Sequence, residues 1–334
     1  MDIQSLRQKY EEMRPRLERL GNNIKAALEQ FLEQNEIDVF GVSYRVKDFE
    51  SFYEKIERKQ YKDPFEQDDD LCGIRIIAFY PTDIERIEKI IKDEFIIHDF
   101  INKENELNAD QFGYRSSHLI VTISEDWLTA PNYRGLKDIR AEIQVRTILM
   151  HAWANISHNL SYKSKDQVPP QFLRRIFQLS ALFEMADQEF DLLRSHKIEY
   201  QQTLVRNARE DSKGFDTSQP LNIDILQAFL DFYFPNRHRE LKETEKLLSE
   251  MQKLKVTLKD LEKGRVLSAD FMNEDEKASF DGKKGHQWAQ VGVARHILDL
   301  TSDNYWKSRS KDLPEHISEL VEKTRKRIKV AKSA

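Results

Sequence analysis

Apolar positions along the chain change their period several times, and each change marks an element. From residue 1 to about 35 they recur at helical spacing among charges, interrupted near Gly21-Asn22-Asn23. That predicts a pair of amphipathic helices. Ile37 to Lys47 reads as a strand, and Asp48 stands where a helix cap belongs, ahead of Phe52 and Ile56 one turn apart. Leu71 to Tyr80 is β-rich, and Thr82-Asp83-Ile84-Glu85 has the form of a capping box opening a helix with Ile84, Ile87 and Ile91 on one side. Strands follow near Phe95–Asn102 and Tyr114–Ile123. A last strand, Arg140–Thr147, runs into a helix ending at about Leu160. Strands alternating with helices predict an α+β unit, a mixed β-sheet of about five strands flanked by helices.

Pro169-Pro170 opens a long helix carrying Phe172, Ile176, Leu179, Phe183 and Phe190 and reaching about Arg209. The polar stretch Asp211–Pro220 is the expected boundary. It separates an N-terminal helical segment (1–36) and a sheet domain with its trailing helix (37–210) from an α-helical C-terminal region (221–334). Helices are expected there over Leu221–Phe234 and about Leu241–Lys263. In the second, Leu247, Met251, Leu254, Leu258 and Leu261 form a stripe stopped by Gly264. Such a stripe suits packing within the chain; a homo-oligomer through these C-terminal helices is the alternative. The end, from Lys323 through Arg325, Lys326, Arg327 and Lys329 to Lys332, is basic.

Composition narrows the class. The chain has 334 residues, 39% hydrophobic and 33% charged, with a formal net charge of -5, so any nucleic-acid partner needs a local basic patch. The single cysteine, Cys72, excludes an internal disulfide framework and is read as a small buried strand residue. Neither a long apolar run nor a basic-then-apolar start is present, so a cytoplasmic protein without membrane contact is expected. The phosphate-cradling GxxxxGK[ST] loop, GxGxxG, HExxH and GxSxG are all absent.

What remains is an ordered set of polar residues. In Glu142-Ile143-Gln144-Val145-Arg146-Thr147, alternation puts Glu142, Gln144 and Arg146 on one sheet face and Ile143 and Val145 in a core. Arg45 and Lys47 share a strand face. Asp70 sits at the entry to Leu71-Cys72-Gly73-Ile74-Arg75, while its neighbours Asp68 and Asp69 read as a solvated turn. Gly113-Tyr114-Arg115-Ser116-Ser117-His118 places an aromatic ring after a glycine. His151, Asn155, His158 and Tyr162 recur at i, i+4, i+7 and i+11 on one helix face. Two hard carboxylates with substrate phosphates suit magnesium, and the surrounding cations suit a polyphosphate.

Arg45-Val46-Lys47, Asp70 through Arg75, Gly113 through His118, Glu142 through Thr147, and Ala152-Trp153 with His158, Tyr162 and Lys163 follow one another in an order that resembles the RelA/SpoT-type alarmone synthetase domain, over roughly residues 40–165. The resemblance implies a pyrophosphokinase, nucleotidyltransferase-like fold. The activity it implies is Mg2+-dependent transfer of pyrophosphate from ATP to the 3′-hydroxyl of GDP or GTP. By position, Asp70 would be a metal ligand and Glu142 a ligand or base. Arg45, Lys47, Lys55 and Arg75 would hold ATP. Tyr114 would stack on the acceptor base, with His118, Gln144, Arg146, His158, Tyr162 and Lys163 lining the acceptor side. The stretch ahead of Arg45 is too short for the family's hydrolase domain, so a small-alarmone-synthetase-type enzyme is expected. Lys103–Phe112 replaces the family's short lead-in to Gly113, His151 stands where small synthetases commonly carry aspartate, and Ser157 where they commonly carry glutamate. These departures and the basic end keep two alternatives in view: a toxic relative acting on the 3′ end of tRNA, and a non-catalytic nucleotide-binding regulator.

Overall fold

The computed structural model describes residues 2–102, 116–160, 170–210, 214–280 and 286–333. The N-terminal stretch is one helix, α1 (Ile3–Gln34), where the sequence predicts a pair. Leu6, Tyr10, Leu17, Leu20, Ile24, Leu28 and Leu32 form a single buried stripe along it. Gly21 lies inside that stripe because Tyr44 of strand β1 (Val39–Val46) passes against it; a methyl group at Gly21 would overlap the Tyr44 ring. The glycine marks a close approach of helix and strand rather than a break.

Next come α2 (Phe49–Lys59), a short α3 (Pro64–Gln67) that the pattern did not announce, and β2 (Cys72–Ala78). Asp48 caps α2 as expected, accepting from the Ser51 amide at 2.8 Å. Helix α4 (Pro81–Glu94) starts one residue before the predicted capping box, with Pro81 in its first turn and no side-chain cap. Thr82 instead donates its hydroxyl to Asp191 at 2.7 Å. β3 (Ile96–Asn102), β4 (Ser117–Thr122), β5 (Ala141–Thr147), α5 (Ile148–Leu160) and the long α6 (Pro170–Glu210) follow.

The five strands form one mixed sheet in the order β1-β2-β5-β4-β3. β2 and β5 run parallel, and the other neighbours are antiparallel. Ile74 and Ile76 of β2 stand opposite Ile143 and Val145 of β5, and with Leu119 and Val121 of β4 they face the core built with α1 and with Ile87 and Ile91 of α4. Cys72 is buried there, its thiol pushed up to about 12 by desolvation, as the small-core-residue reading expects.

Internal contacts divide the chain into residues 1–193 and 194–334, the division falling inside α6 rather than in the polar stretch beyond it. The second unit adds α7 (Ile223–Tyr233), α8 (Leu241–Lys253), α9 (Leu258–Ser279), α10 (Gln290–Thr301), α11 (Asp303–Arg309) and α12 (Glu315–Ser333). The single helix expected over 241–263 is two. Lys255 turns the chain at φ +56°, and Thr257 with Asp260 forms the capping box that starts α9. Leu247, Met251, Leu258 and Leu261 are nonetheless one buried set within this unit's own core. Gly264 does not stop the stripe. It sits inside α9 facing Ile297 and Thr301 of α10, where a methyl group would overlap both side chains. The basic end is helix α12: Arg325 bonds the Asp299 carbonyl and the Asp303 carboxylate, and Arg327 pairs with Glu274 at 3.0 Å. Among the described residues no helix is long and apolar enough to cross a membrane.

Both helix glycines make the same prediction. Gly21→Ala and Gly264→Ala should each lower the stability of their unit by about 1–3 kcal/mol through overpacking, read as an earlier urea midpoint. If either glycine were only a helix break, alanine would instead stabilise the chain by roughly 1 kcal/mol through helix propensity.

Candidate active site

The polar face of the sheet is assembled by register. Gly73 stands opposite Arg45 on β1 and Glu142 on β5; Arg75 stands opposite Ser43 and Gln144, and Gln144 opposite His118 on β4. One face therefore carries Arg45, Arg75, His118, Glu142 and Gln144 while the intervening residues fill the core. A pocket of about 380 Å³ opens on this face, lined by Arg45, Lys47, Asp70, Arg75, Glu142 and Gln144. Ser43, Tyr44 and Ser51 also line it; the sequence reading did not include them. Gly73 forms part of the same lining. A Cβ there would meet only the Arg45 carbonyl, at 3.8 Å, so its missing side chain is space for a ligand.

The two carboxylates are held by different means. Glu142 accepts from His118 Nδ1 at 2.6 Å and from Gln144 Nε2 at 2.8 Å, and His118 Nε2 meets the Ser116 hydroxyl at 2.6 Å. Burial works against the charge on Glu142, but the bonds from His118 and Gln144 outweigh it and keep its pKa below the usual value. His118 is thus turned to Glu142 within the site. Arg146 donates in turn to Gln144, extending the chain of contacts along β5.

Asp70 is gripped by Lys47 and by Lys55, the latter at 2.8 Å. Both lysines also reach Asp68, at 3.5 and 2.5 Å, and the Asp68 side chain is fully buried. The sequence reading of Asp68 as a solvated turn residue is corrected here. It is the internal counter-ion of the lysine pair, and no periodic pattern in a loop signals that. Asp69 does stay at the surface, paired with Arg140 at 2.6 Å. Desolvation and the neighbouring Asp70 carboxylate raise the Asp68 pKa. Asp70 is itself penalised by burial, but its bonds with Asp68, Lys47 and Lys55 pull its pKa well below the usual range. Lys55 is likewise desolvated, and Asp68 and Asp70 more than offset this and raise its pKa.

At the other end of the face, positive charge gathers. The Nε atoms of Arg75 and Arg146 and Nδ1 of His151 are buried without a hydrogen-bond partner among the described residues. Burial and the Arg75 guanidinium bring the Arg146 pKa down to about 10, and burial with both arginines lowers that of His151. Orphaned buried donors beside crowded cations mark a place for an anion. The sequence puts His151 on a polar helix face and marks it as a departure from the family's pattern without counting it among the site residues; the fold adds it to this cluster. It also meets Asn155 at 3.1 Å on the helix face expected for it. Tyr114, Tyr162 and Lys163 lie outside the described residues, as does the side chain of His158.

A sheet face that opposes two fixed carboxylates to a cluster of arginines defines a site for a phosphate-rich ligand. The comparisons agree with that class. The description "Region found in RelA / SpoT proteins" matches residues 44–167, inside the first unit. The GTP pyrophosphokinase YwaC of Bacillus subtilis is 30% identical over 149 residues, 43% of this chain and 69% of the relative. The GTP pyrophosphokinase YjbM of the same organism is 30% identical over 174 residues, 50% of this chain and 78% of the relative. The crystal structure of small alarmone synthetase 1 from Bacillus subtilis is 27% identical with a TM-score of 0.49, covering 57% of this chain and 99% of that one. The chain belongs to the RelA/SpoT family.

The lysine–aspartate cluster carries a stability prediction. Lys55→Met leaves the buried Asp68 carboxylate with the more distant Lys47 as its remaining cation, and should cost about 3 kcal/mol in urea unfolding. Adding Asp68→Asn should recover part of that loss, because the uncompensated charge is gone. An unchanged midpoint for Lys55→Met would mean that the cluster does not form.

Proposed function

We propose that the protein is a GTP pyrophosphokinase, moving the pyrophosphate of ATP to the 3′-hydroxyl of a guanosine nucleotide and so making the alarmone (p)ppGpp. The observation that carries this reading is the meeting of Asp70 and Glu142 in one pocket with Arg45, Arg75 and Gln144. It occurs in a chain whose relatives are GTP pyrophosphokinases. In the reaction the bond between the β-phosphorus and the oxygen bridging to the α-phosphate breaks. A new bond joins the 3′-oxygen to that phosphorus, the hydroxyl loses its proton, and AMP leaves.

Each part of the face suits a part of this transfer. Arg75, with its unpartnered Nε, and Arg45, three-quarters exposed at the pocket, are placed to take phosphate oxygens from ATP. Glu142, kept ionised by His118 and Gln144, can accept the hydroxyl proton or ligate a cation. Asp70 and Glu142 together offer two hard oxygen donors, and among the described residues no cluster of three or more acidic, histidine or cysteine side chains forms a metal cage. Two carboxylates without a full cage fit Mg2+ shared with substrate phosphates. Bound there, Mg2+ would neutralise charge on the transferred group.

Nothing in the described residues favours a tRNA acceptor. Of the features that keep that reading in view, the altered loop before Gly113 lies outside the described residues, and the basic end is a helix whose Arg325 and Arg327 are already paired with acidic partners or carbonyls of the same unit.

With ATP labelled at its β-phosphate, label should pass to GDP or GTP in the presence of Mg2+ and not to deacylated tRNA. Glu142→Gln should cut the transfer by at least about 100-fold. Transfer to tRNA alone, or equal rates for Glu142→Gln and wild type, would overturn the assignment. Gly73→Val is expected to leave stability within about 0.5 kcal/mol while filling the pocket and abolishing transfer.

A further inference from the structure

The second unit holds a groove of about 810 Å³, within the range of small-molecule sites. One wall is the last turns of α6, presenting Ile198, Gln201, Val205, Arg206 and Arg209. The facing wall is the end of α7 and the segment after it, with Asp231, Pro235 and Arg239.

The facing wall is built from inside. Gln227 and Gln290, both buried, donate to Asp231 Oδ1 at 2.9 and 3.0 Å, and the buried Thr244 hydroxyl donates to Gln227 at 2.9 Å. Asp231 Oδ2 then holds Arg239 at 3.3 Å. Arg239 donates to Gln201 at 2.7 Å, and the amide of Gln201 is fixed by Asp224 at 2.7 Å. Burying amides in a helical core is costly unless every partner is supplied, and here supplying them fixes an arginine at the groove.

Arg206 and Arg209 enter the same groove from α6, one turn apart, and make no hydrogen bond or ion pair among the described residues. Asp231 is neutralised by Arg239, so among the described residues the groove keeps two open guanidinium forks against the one carboxylate of Glu210. The helix dipole favours a cation near the end of α6, but it explains neither the void nor the buried network behind Arg239.

We propose that this groove binds a phosphate-bearing small molecule of nucleotide size. Its phosphates lie among Arg206, Arg209 and Arg239, whose planar forks match phosphate oxygens, and its ring packs on Ile198, Val205 and Pro235. The site is separate from the catalytic pocket, whose lining residues all lie in the first unit.

The test is equilibrium dialysis of labelled ADP against the full chain, comparing wild type with the Arg206→Ala/Arg209→Ala double variant and with Arg239→Ala. Each variant should bind one ADP fewer per chain, or bind that one at least tenfold more weakly, with its pyrophosphate transfer unchanged; the Arg206→Ala/Arg209→Ala variant should keep its melting temperature as well. Inorganic pyrophosphate should compete for the lost site at least tenfold better than sulfate at equal ionic strength. Equal ADP stoichiometry and affinity in all three proteins would overturn the proposal. So would sulfate competing as well as pyrophosphate, since that is simple ion pairing. Because transfer activity is read in the same proteins, loss of the pyrophosphokinase reading would be seen separately.

Discussion

The parallel pairing of β2 with β5 is the constraint on which the site depends. It joins strands far apart in the chain, and its register sets Gly73 beside Glu142 and Arg75 beside Gln144. The same pairing sets Ile74 beside Ile143 and Ile76 beside Val145 on the opposite face. A slip of one residue would exchange the two faces, burying the arginine and glutamate and exposing the isoleucines. The core therefore enforces the register, and the register delivers the site. Side chains mounted on strands whose other face is close-packed are held more rigidly than loop residues.

Across this face, charge is graded. Carboxylates stand at the Asp70 and Glu142 end, while Arg75, Arg146 and His151 crowd together without enough acceptors among the described residues. Each carboxylate is kept ionised by neighbours that also fix its direction, lysines for Asp70 and His118 with Gln144 for Glu142. The buried Asp68 holds the lysine pair in place. A polyphosphate entering such a field is aligned by electrostatics prepared before it arrives, which is where phosphoryl-type transfer gains most.

Much of this was legible in the chain itself. Alternation in Glu142–Thr147 gave the face that Glu142 and Gln144 occupy, and the strand entry after Asp70 gave its position at the pocket. Asp48 was a cap, and the order of motifs matched the family. The misses share one physical origin. Gly21 and Gly264 read as helix breaks because local sequence shows only the missing side chain; it does not show the Tyr44 ring or the Ile297 and Thr301 side chains that require the space. Thr82 matched a capping box but serves Asp191, and Asp68 matched a solvated turn but neutralises two lysines. In each case the deciding partner is distant in sequence. The second unit shows the same limit: its leucine stripe was visible, while the groove lined by Arg206, Arg209 and Arg239 exists only after helices are brought together.

The central claim is that Asp70 and Glu142 form one cation-and-phosphate site on the β2–β5 face. A crystal structure of the full chain grown with Mg2+ and a non-hydrolysable ATP analogue tests it most directly. The account predicts a metal ligated by oxygens of both Asp70 and Glu142, with the analogue's phosphates against Arg75 and Arg45. A metal held by neither carboxylate, or an analogue bound away from this face, would contradict it.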